Sequence, residues 1–194
     1  MYLTTDEAAN ELLAKDPNAL VVGMILDQQV PLEKAFAGPK VIAERMDGQF
    51  DLAAIAAMAP EAFAKLASTP PAIHRFPKAM AERVQKLAAV VVGEWDGHVA
   101  NLYASAKTGA ELKRAISALP GFGEQKASIF VALLGKQCGI TPDGWREAAG
   151  DYAQEGFRSV ADITDPESLA DVRARKRMMK EAAKRAEAAV SEAE

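Results

Sequence analysis

The sequence predicts an all-α protein, and three observations support this. Apolar residues recur at spacings of three and four along most of the chain, which is the period of an amphipathic helix. No segment alternates apolar and polar residues for long enough to predict a strand. Helix caps and turn residues separate the periodic stretches. With 194 residues, 49% of them hydrophobic, the chain can bury a core as one domain or as a domain with an added lobe.

Caps predict where the first two helices begin. Residues 4–15 show apolar positions on one side, and Thr4 and Glu7 have the spacing of a capping box. Asp16 is the predicted N-cap of a second helix, with Pro17 at its first position. An apolar run follows Pro17, so this second helix is expected to lie in the core.

Four more helices are predicted before residue 96. The third begins near Pro31 and ends at the turn residues 47–48, and two short alanine-rich helices follow over 52–58 and 60–67. A Ser-Thr-Pro-Pro loop then interrupts the pattern. Residues 77–95 keep a period of 3.6 over about five turns, which predicts a long helix.

A tight bend between two apolar helices is the most informative stretch of the sequence. The helices are predicted over 111–119, with a capping box at Thr108, and over 127–138. Gly121 and Gly123 flank Phe122, allow positive φ and let a ligand approach the backbone. Free amides at the start of the second helix are suited to bind an anion such as a phosphate. An ordinary helix-helix turn would have the same local sequence.

The C-terminal part is less regular. Residues 139–144 have turn chemistry, 145–149 predict one helical turn, and 150–159 are expected to be irregular. Residues 164–167 predict the cap of a final helix. This helix carries a cluster of basic residues, which is either a solvated face or a strip that faces phosphates: Arg173, Arg175, Lys176, Arg177, Lys180, Lys184 and Arg185.

Two stretches together resemble a known family. The string Leu-Pro-Gly-Phe-Gly-x-x-x-Ala over 119–127 resembles the helix-hairpin-helix element of DNA-binding proteins. The stretch 24–31 resembles the Ile-Leu-x-Gln-Gln signature of the helix-hairpin-helix DNA glycosylase superfamily (HhH-GPD). The resemblance covers roughly residues 17–145. It implies an all-α fold of two lobes with a cleft between them, in which 17–138 form a helical core with the hairpin at 119–124, and 1–16 plus 139–194 form the second lobe.

The resemblance also implies an activity, which is base excision repair. Members of this family flip a damaged base out of double-stranded DNA and break its N-glycosidic bond with the help of a carboxylate. That carboxylate lies about two dozen residues after the hairpin leucine, and Asp143 lies 24 residues after Leu119. Asp143 is therefore the predicted catalytic residue, although Pro142-Asp143-Gly144 is also an ordinary β-turn sequence. Asp151 is the alternative acid.

The type of glycosylase follows from one position. Bifunctional members carry a nucleophilic lysine six residues after the hairpin leucine, where this chain has Gln125. Lys126 comes next, but one step along a helix turns a side chain by about 100°, so we expect Lys126 to point away. The sequence therefore resembles that of a monofunctional glycosylase, which uses water.

The remaining site residues are predicted contacts. Trp145 and Tyr152 either line a pocket for the flipped base or pack as a lid. The residues predicted to contact DNA are Gln28, Gln29, His74, Arg75, Pro120, Gly121, Phe122, Gly123, Gln125 and Lys126. The resemblance also implies a monovalent cation, Na or K, bound by the main-chain carbonyls of Ser117, Leu119 and Phe122.

Composition limits the cofactors and the cellular setting. The single cysteine, Cys138, excludes a four-cysteine iron-sulfur cluster and an internal disulfide, and we expect no other cofactor. The chain has no signal-like N-terminus and no membrane-spanning run, so we expect a cytoplasmic, nucleoid-associated monomer that binds DNA and no membrane. The net charge of −4 does not favour strong non-specific DNA binding. A catalytically silent DNA-binding relative is therefore the main alternative, and a helical protein-interaction domain is a third.

Overall fold

A computed structural model describes residues 1–191, with the side chains of 180, 183, 184 and 186–191 left undescribed. The described chain is all-α, as predicted, and contains no strand. Two short 3-10 helices, Gly150–Ala153 and Val160–Asp162, occupy part of the region between the last two α-helices. The α-helices are α1 (Glu7–Lys15), α2 (Pro17–Leu26), α3 (Leu32–Glu44), α4 (Leu52–Ala57), α5 (Pro60–Ser68), α6 (Pro77–Trp95), α7 (Val99–Ser105), α8 (Gly109–Ala118), α9 (Glu124–Gln137), α10 (Trp145–Ala149) and α11 (Pro166–Ser191).

Most of the predicted caps are confirmed. The Asp16 side chain accepts a hydrogen bond from the Asn18 amide at the start of α2, and Thr108 forms the predicted capping box at α8. The capping box predicted at Thr4 is wrong. The N-cap of α1 is Asp6, because the Thr4 main chain is instead held by the Asn10 side chain, which donates to the Thr4 carbonyl at 2.8 Å.

Helix α7 is not predicted by the sequence. It is seven residues long and its N-cap makes no side-chain hydrogen bond, so neither period nor capping signals it. Its start is fixed from a distance instead. The Asn18 side chain donates to the Gly97 carbonyl at 2.8 Å and accepts from the Val99 amide at 2.9 Å.

The hydrophobic core is continuous and passes through α2. Every residue of α2 except Pro17 is buried, and the helix packs against α3, α6 and α7. Helices α4 and α5 cover α6, while α8, α9 and α10 pack on one another. Phe36, Phe63 and Phe130 are the largest completely buried side chains. Helix α1 packs on α2 and α3, whereas α10 packs on α8 and α9, and the predicted assignment of both ends to one lobe stays a prediction.

The last helix is anchored at its N-terminal end. Leu169 and Val172 of α11 are buried, and Arg173 pairs with Glu33 of α3. Arg175, Lys176, Arg177 and Arg185 of the predicted basic cluster are exposed, whereas the side chains of Lys180 and Lys184 lie outside the described residues. No helix within residues 1–191 is both long and apolar enough to cross a membrane.

Candidate functional site

The bend between α8 and α9 is a compact turn that uses one left-handed glycine. Gly121 has φ +88°, and the Phe122 amide closes the turn by donating to the Leu119 carbonyl at 3.1 Å. Gly123 has φ −117° and ψ 175°, which is extended backbone that any residue can adopt. The prediction of positive φ is therefore right for Gly121 and wrong for Gly123.

The apolar side of the bend is packed against the core. Phe122 is only 9% exposed, and its ring centroid lies 5.6 Å from that of Phe130 in α9. A Cβ at Gly121 would lie 3.4 Å from the Ile25 side chain in α2. These contacts fix the bend to the C-terminal end of α2 and leave Gly121 and Gly123 exposed.

The exposed backbone at the start of α9 carries unused donors. The first helical hydrogen bond of α9 runs from the Ala127 amide to the Gly123 carbonyl at 2.9 Å. Among the described residues, the amides of 123–126 donate to no protein group. Four consecutive free amides at a helix N-terminus, with the positive end of the helix dipole behind them, are suited to bind an anion.

A cavity of about 810 Å³ opens beside these amides. It lies between the first turn of α9, the loop after α2, the 150–160 segment and α11. Four of its lining residues are cationic and two are acidic, so this part of the surface is locally positive although the whole chain is acidic. The charged lining residues are Lys126, Arg158, Arg175, Lys176, Asp27 and Asp151.

Gln125 and Lys126 both line this cavity. The Gln125 amide group donates to the Tyr152 hydroxyl at 2.9 Å. The Lys126 ammonium donates to the Met24 carbonyl at 2.9 Å and to the Asp27 carbonyl at 3.4 Å, which are C-terminal carbonyls of α2. The expectation that Lys126 points away from the site is therefore wrong, because its long side chain reaches sideways to these acceptors. Burial lowers the pKa of Lys126, and the nearby Asp27 charge partly opposes this shift.

The two glutamines after α2 have different environments. Gln28 is held at both ends of its amide, because it donates to the Ile25 carbonyl at 2.8 Å and accepts from Arg83 at 2.6 Å. Gln29 is exposed, lines the cavity and has φ +53°, a strained conformation for a residue with a side chain. Gln29 is thus the member of the pair that is available to a ligand.

The 74–76 loop lies against Gln28. His74 is 1% exposed, its Nδ1 accepts from the Phe76 amide at 3.0 Å, and its Nε2 lies 2.7 Å from the Gln28 carbonyl. This network requires the neutral tautomer with the proton on Nε2, so His74 positions the loop and does not face solvent. Arg75 and Phe76 are exposed, with the guanidinium 4.5 Å from the ring centroid.

Asp143 lies at the other end of the helical pair. Its carbonyl accepts from the Gly109 amide at 2.7 Å, at the first residue of α8, while the hairpin bend follows the last residue of α8. A helix of ten residues is about 15 Å long, so this is the separation along α8 between Asp143 and the bend. The Trp145 amide closes a turn onto the Pro142 carbonyl at 3.0 Å, as the alternative β-turn interpretation predicts. Asp143 does not line the cavity described above.

Two other carboxylates do line the cavity. Asp151, the alternative acid, is exposed and accepts from Gln154 at 3.1 Å, and its neighbour Tyr152 also lines the cavity. Asp27 is the other, and the sequence assigns it no role. Burial raises its pKa, and the positive charges of Lys176 and Lys126 oppose this shift. The only sequence signal for Asp27 is its position directly before the two glutamines.

The predicted cation site stays a prediction. It depends on the carbonyls of Ser117, Leu119 and Phe122, of which the Leu119 carbonyl already accepts from the Phe122 amide.

Comparisons of the whole chain with protein-family models, with curated proteins and with solved structures find no match.

Proposed function

We propose that this protein is a monofunctional DNA glycosylase of base excision repair, with the hairpin and the cavity lying along a cleft between two helical lobes. One observation supports this proposal most strongly. The exposed bend presents four consecutive free amides, and the same turn of α9 forms the wall of a locally positive cavity. A strand held by its phosphate at the amides therefore has a pocket beside it.

Each part of the site has a separate role in base flipping. The amides of Gly123 and Glu124 hold a phosphate, and Gln29, exposed in a left-handed conformation, enters the duplex near the extruded nucleotide. The base enters the cavity, whose volume is in the range usual for small-molecule sites. Tyr152 and Met179 provide apolar and aromatic surface there. Water acts as the nucleophile, because Lys126 donates to α2 carbonyls and Gln125 has no amine.

The second candidate function is DNA binding without cleavage. The position of Asp143 favours it, because the predicted catalytic carboxylate lies at the end of α8 that is remote from the bend. Both functions require the bend to hold phosphate. They differ only in whether an abasic product forms.

The test removes one amide and keeps the helix. Glu124 is the first residue of α9, where proline is tolerated, and Gly123 before it already has an extended conformation compatible with proline. Glu124→Pro deletes a free N–H, whereas the matched control Glu124→Ala keeps it and removes the same carboxylate and its ion pair with Lys113. Duplex affinity is measured by fluorescence anisotropy at low salt and during a salt titration.

We expect Glu124→Ala to bind duplexes as tightly as the wild type or more tightly, because it removes a negative charge near phosphate. Glu124→Pro should bind about 10-fold more weakly than Glu124→Ala, since a hydrogen bond to a charged group contributes about 1.5–3 kcal/mol. Equal affinities of the two variants would exclude the bend as the phosphate contact. Abasic product from a panel of lesion duplexes then separates the enzyme from the silent relative.

A further inference from the structure

We infer that Asp27 is the carboxylate that stabilises the developing sugar cation and activates the water, an inference that rests on the proposed glycosylase function. Asp27 is the C-cap residue of α2 and lines the main cavity together with Gln29, Lys126 and Lys176. It also lines a smaller cavity of about 230 Å³ between α3 and α11. It is the less exposed of the two acids in the main cavity.

Asp27 is held in a fixed position relative to the hairpin. The Lys126 ammonium, in the first turn of α9, donates to the Asp27 carbonyl, and the Asp27 amide donates to the Gly23 carbonyl at 3.1 Å. The bend itself packs on Ile25 two residues earlier. The free amides of the bend and the Asp27 main chain therefore belong to one packed unit, which fixes where the Asp27 side chain starts relative to the bend.

The Asp27 carboxylate is placed where it costs stability. It follows the C-terminal end of α2, where the helix dipole disfavours a negative charge, and its residue is only partly exposed. It accepts no hydrogen bond from any group in the described residues, although Lys126 and Lys176 are close enough to favour its ionised form. A charge that is neither hydrogen-bonded nor fully solvated is available to a substrate, and such placement is typical of functional sites.

The chemistry needs one carboxylate and one water. As the bond between the sugar C1′ and the base nitrogen breaks, its electron pair leaves with the base and the sugar ring becomes cationic. The ionised Asp27 carboxylate stabilises that cation in a site where a charge is poorly screened. The water oxygen then bonds to C1′, its proton passes to Asp27, and from there to solvent as the base takes up a proton. The products are the free base and an abasic sugar.

The experiment compares four Asp→Asn variants in single-turnover excision of whichever lesion the wild type cleaves. Asp27→Asn should lower the rate by about 10²–10⁴-fold, the range typical of a lost acid-base group, while duplex affinity is kept or increased. Its melting temperature should equal or exceed that of the wild type, because the change removes an unfavourable charge. Asp96→Asn is the matched control, since Asp96 is the exposed C-cap of α6, and it should leave excision unchanged. Asp143→Asn and Asp151→Asn test the two rival acids.

The outcomes separate this inference from the proposed function. Suppose that the wild type forms abasic product and that the excision rate of Asp27→Asn is within about 10-fold of the wild-type rate. The catalytic role of Asp27 is then excluded, and the glycosylase assignment remains. A large loss in Asp143→Asn or Asp151→Asn alone assigns the reaction to that acid instead. If the wild type binds duplexes but cleaves no lesion, the glycosylase function fails, and the role of Asp27 fails with it.

Discussion

The two ends of the α8–α9 pair differ in whether their backbone polar groups have hydrogen-bond partners. At the bend, the four amides of residues 123–126 have no protein partner among the described residues. At the opposite end the backbone is paired, because the Gly109 amide donates to the Asp143 carbonyl and the segment that follows folds onto the helices. Unpaired donors are costly to bury and useful to a ligand, so in the proposed function the bend is the binding end of the pair, whereas the Asp143 end is the packing end.

Substitution of Trp145, at the packing end, is expected to have the largest effect on stability. Its ring fits where Gly135 has no side chain, since a Cβ there would lie 2.4 Å from the ring, and Trp145 is only 6% exposed. Trp145→Ala should lower the free energy of unfolding by about 3–5 kcal/mol, as measured by urea denaturation followed by circular dichroism. The folded variant should keep the wild-type affinity for duplex DNA. Lost affinity in a variant of unchanged stability would contradict this division between the two ends.

The sequence could predict elements that are fixed by local residues, but not those that are fixed by distant contacts. Helix α6 was predicted at its observed bounds, because an apolar period of 3.6 over 19 residues needs no tertiary information. The cap at Asp16 and the capping box at Thr108 are likewise local. Helix α7 was missed because its start is fixed by Asn18, which is 81 residues from Val99.

The site was harder to predict because spacing along the chain gives no direction in space. Asp143 lies 24 positions after Leu119, and the intervening segment includes α9, which carries the chain away from the bend. The chain returns to the cavity at Ala149, the last residue of α10, and Asp151 follows in the next 3-10 helix. Asp27 had no motif of its own, and only the packing of α2 against the bend places it beside Lys126.

Substitution of Lys126, at the binding end, is expected to have an intermediate effect on stability. Its ammonium satisfies two C-terminal carbonyls of α2, so Lys126→Met should lower the free energy of unfolding by about 1–3 kcal/mol, the cost of leaving buried acceptors unpaired. Lys113→Met is the control, because its partner Glu124 is highly exposed and the ion pair should contribute less than about 1 kcal/mol. Borohydride should trap no covalent DNA adduct with the wild type. A trapped adduct that disappears in Lys126→Met would reveal an amine nucleophile.

His74, which lies beside the binding end, is expected to make the free energy of unfolding depend on pH. Burial lowers its pKa below the ordinary value of about 6.5, and the charges of Lys34, Arg75 and Arg83 add to this, while the Gln28 carbonyl opposes it. Above about pH 6.5 His74 is neutral in both states, and its stabilising contribution is complete. As the pH falls below that value, the unfolded state takes up the proton first, so the free energy of unfolding should decrease until the folded-state pKa is passed.

The measurement is urea denaturation between about pH 5 and 7, with His74→Gln as the control that cannot take up the proton. The wild type should lose more stability than the variant over this range. Parallel pH dependence of the two proteins would show that the neutral His74 network does not hold the 74–76 loop.

Two glycine substitutions give the smallest expected effect and the sharpest separation of binding from stability. A Cβ at Gly93 or at Gly123 would meet nothing within 4 Å, and neither glycine has positive φ. Gly93 lies within α6, so Gly93→Ala should raise the free energy of unfolding by about 0.5–1 kcal/mol and leave duplex affinity unchanged.

Gly123 is the N-cap of α9. In Gly123→Ala, the loss of stability from a poorer cap and the gain from reduced freedom of the unfolded chain should nearly cancel. Its methyl group nevertheless stands beside the free amides, so affinity measured by anisotropy should fall several-fold, on the order of a single weakened contact. If Gly123→Ala binds duplexes as well as Gly93→Ala does, the amides of the bend are not the surface that meets the phosphate.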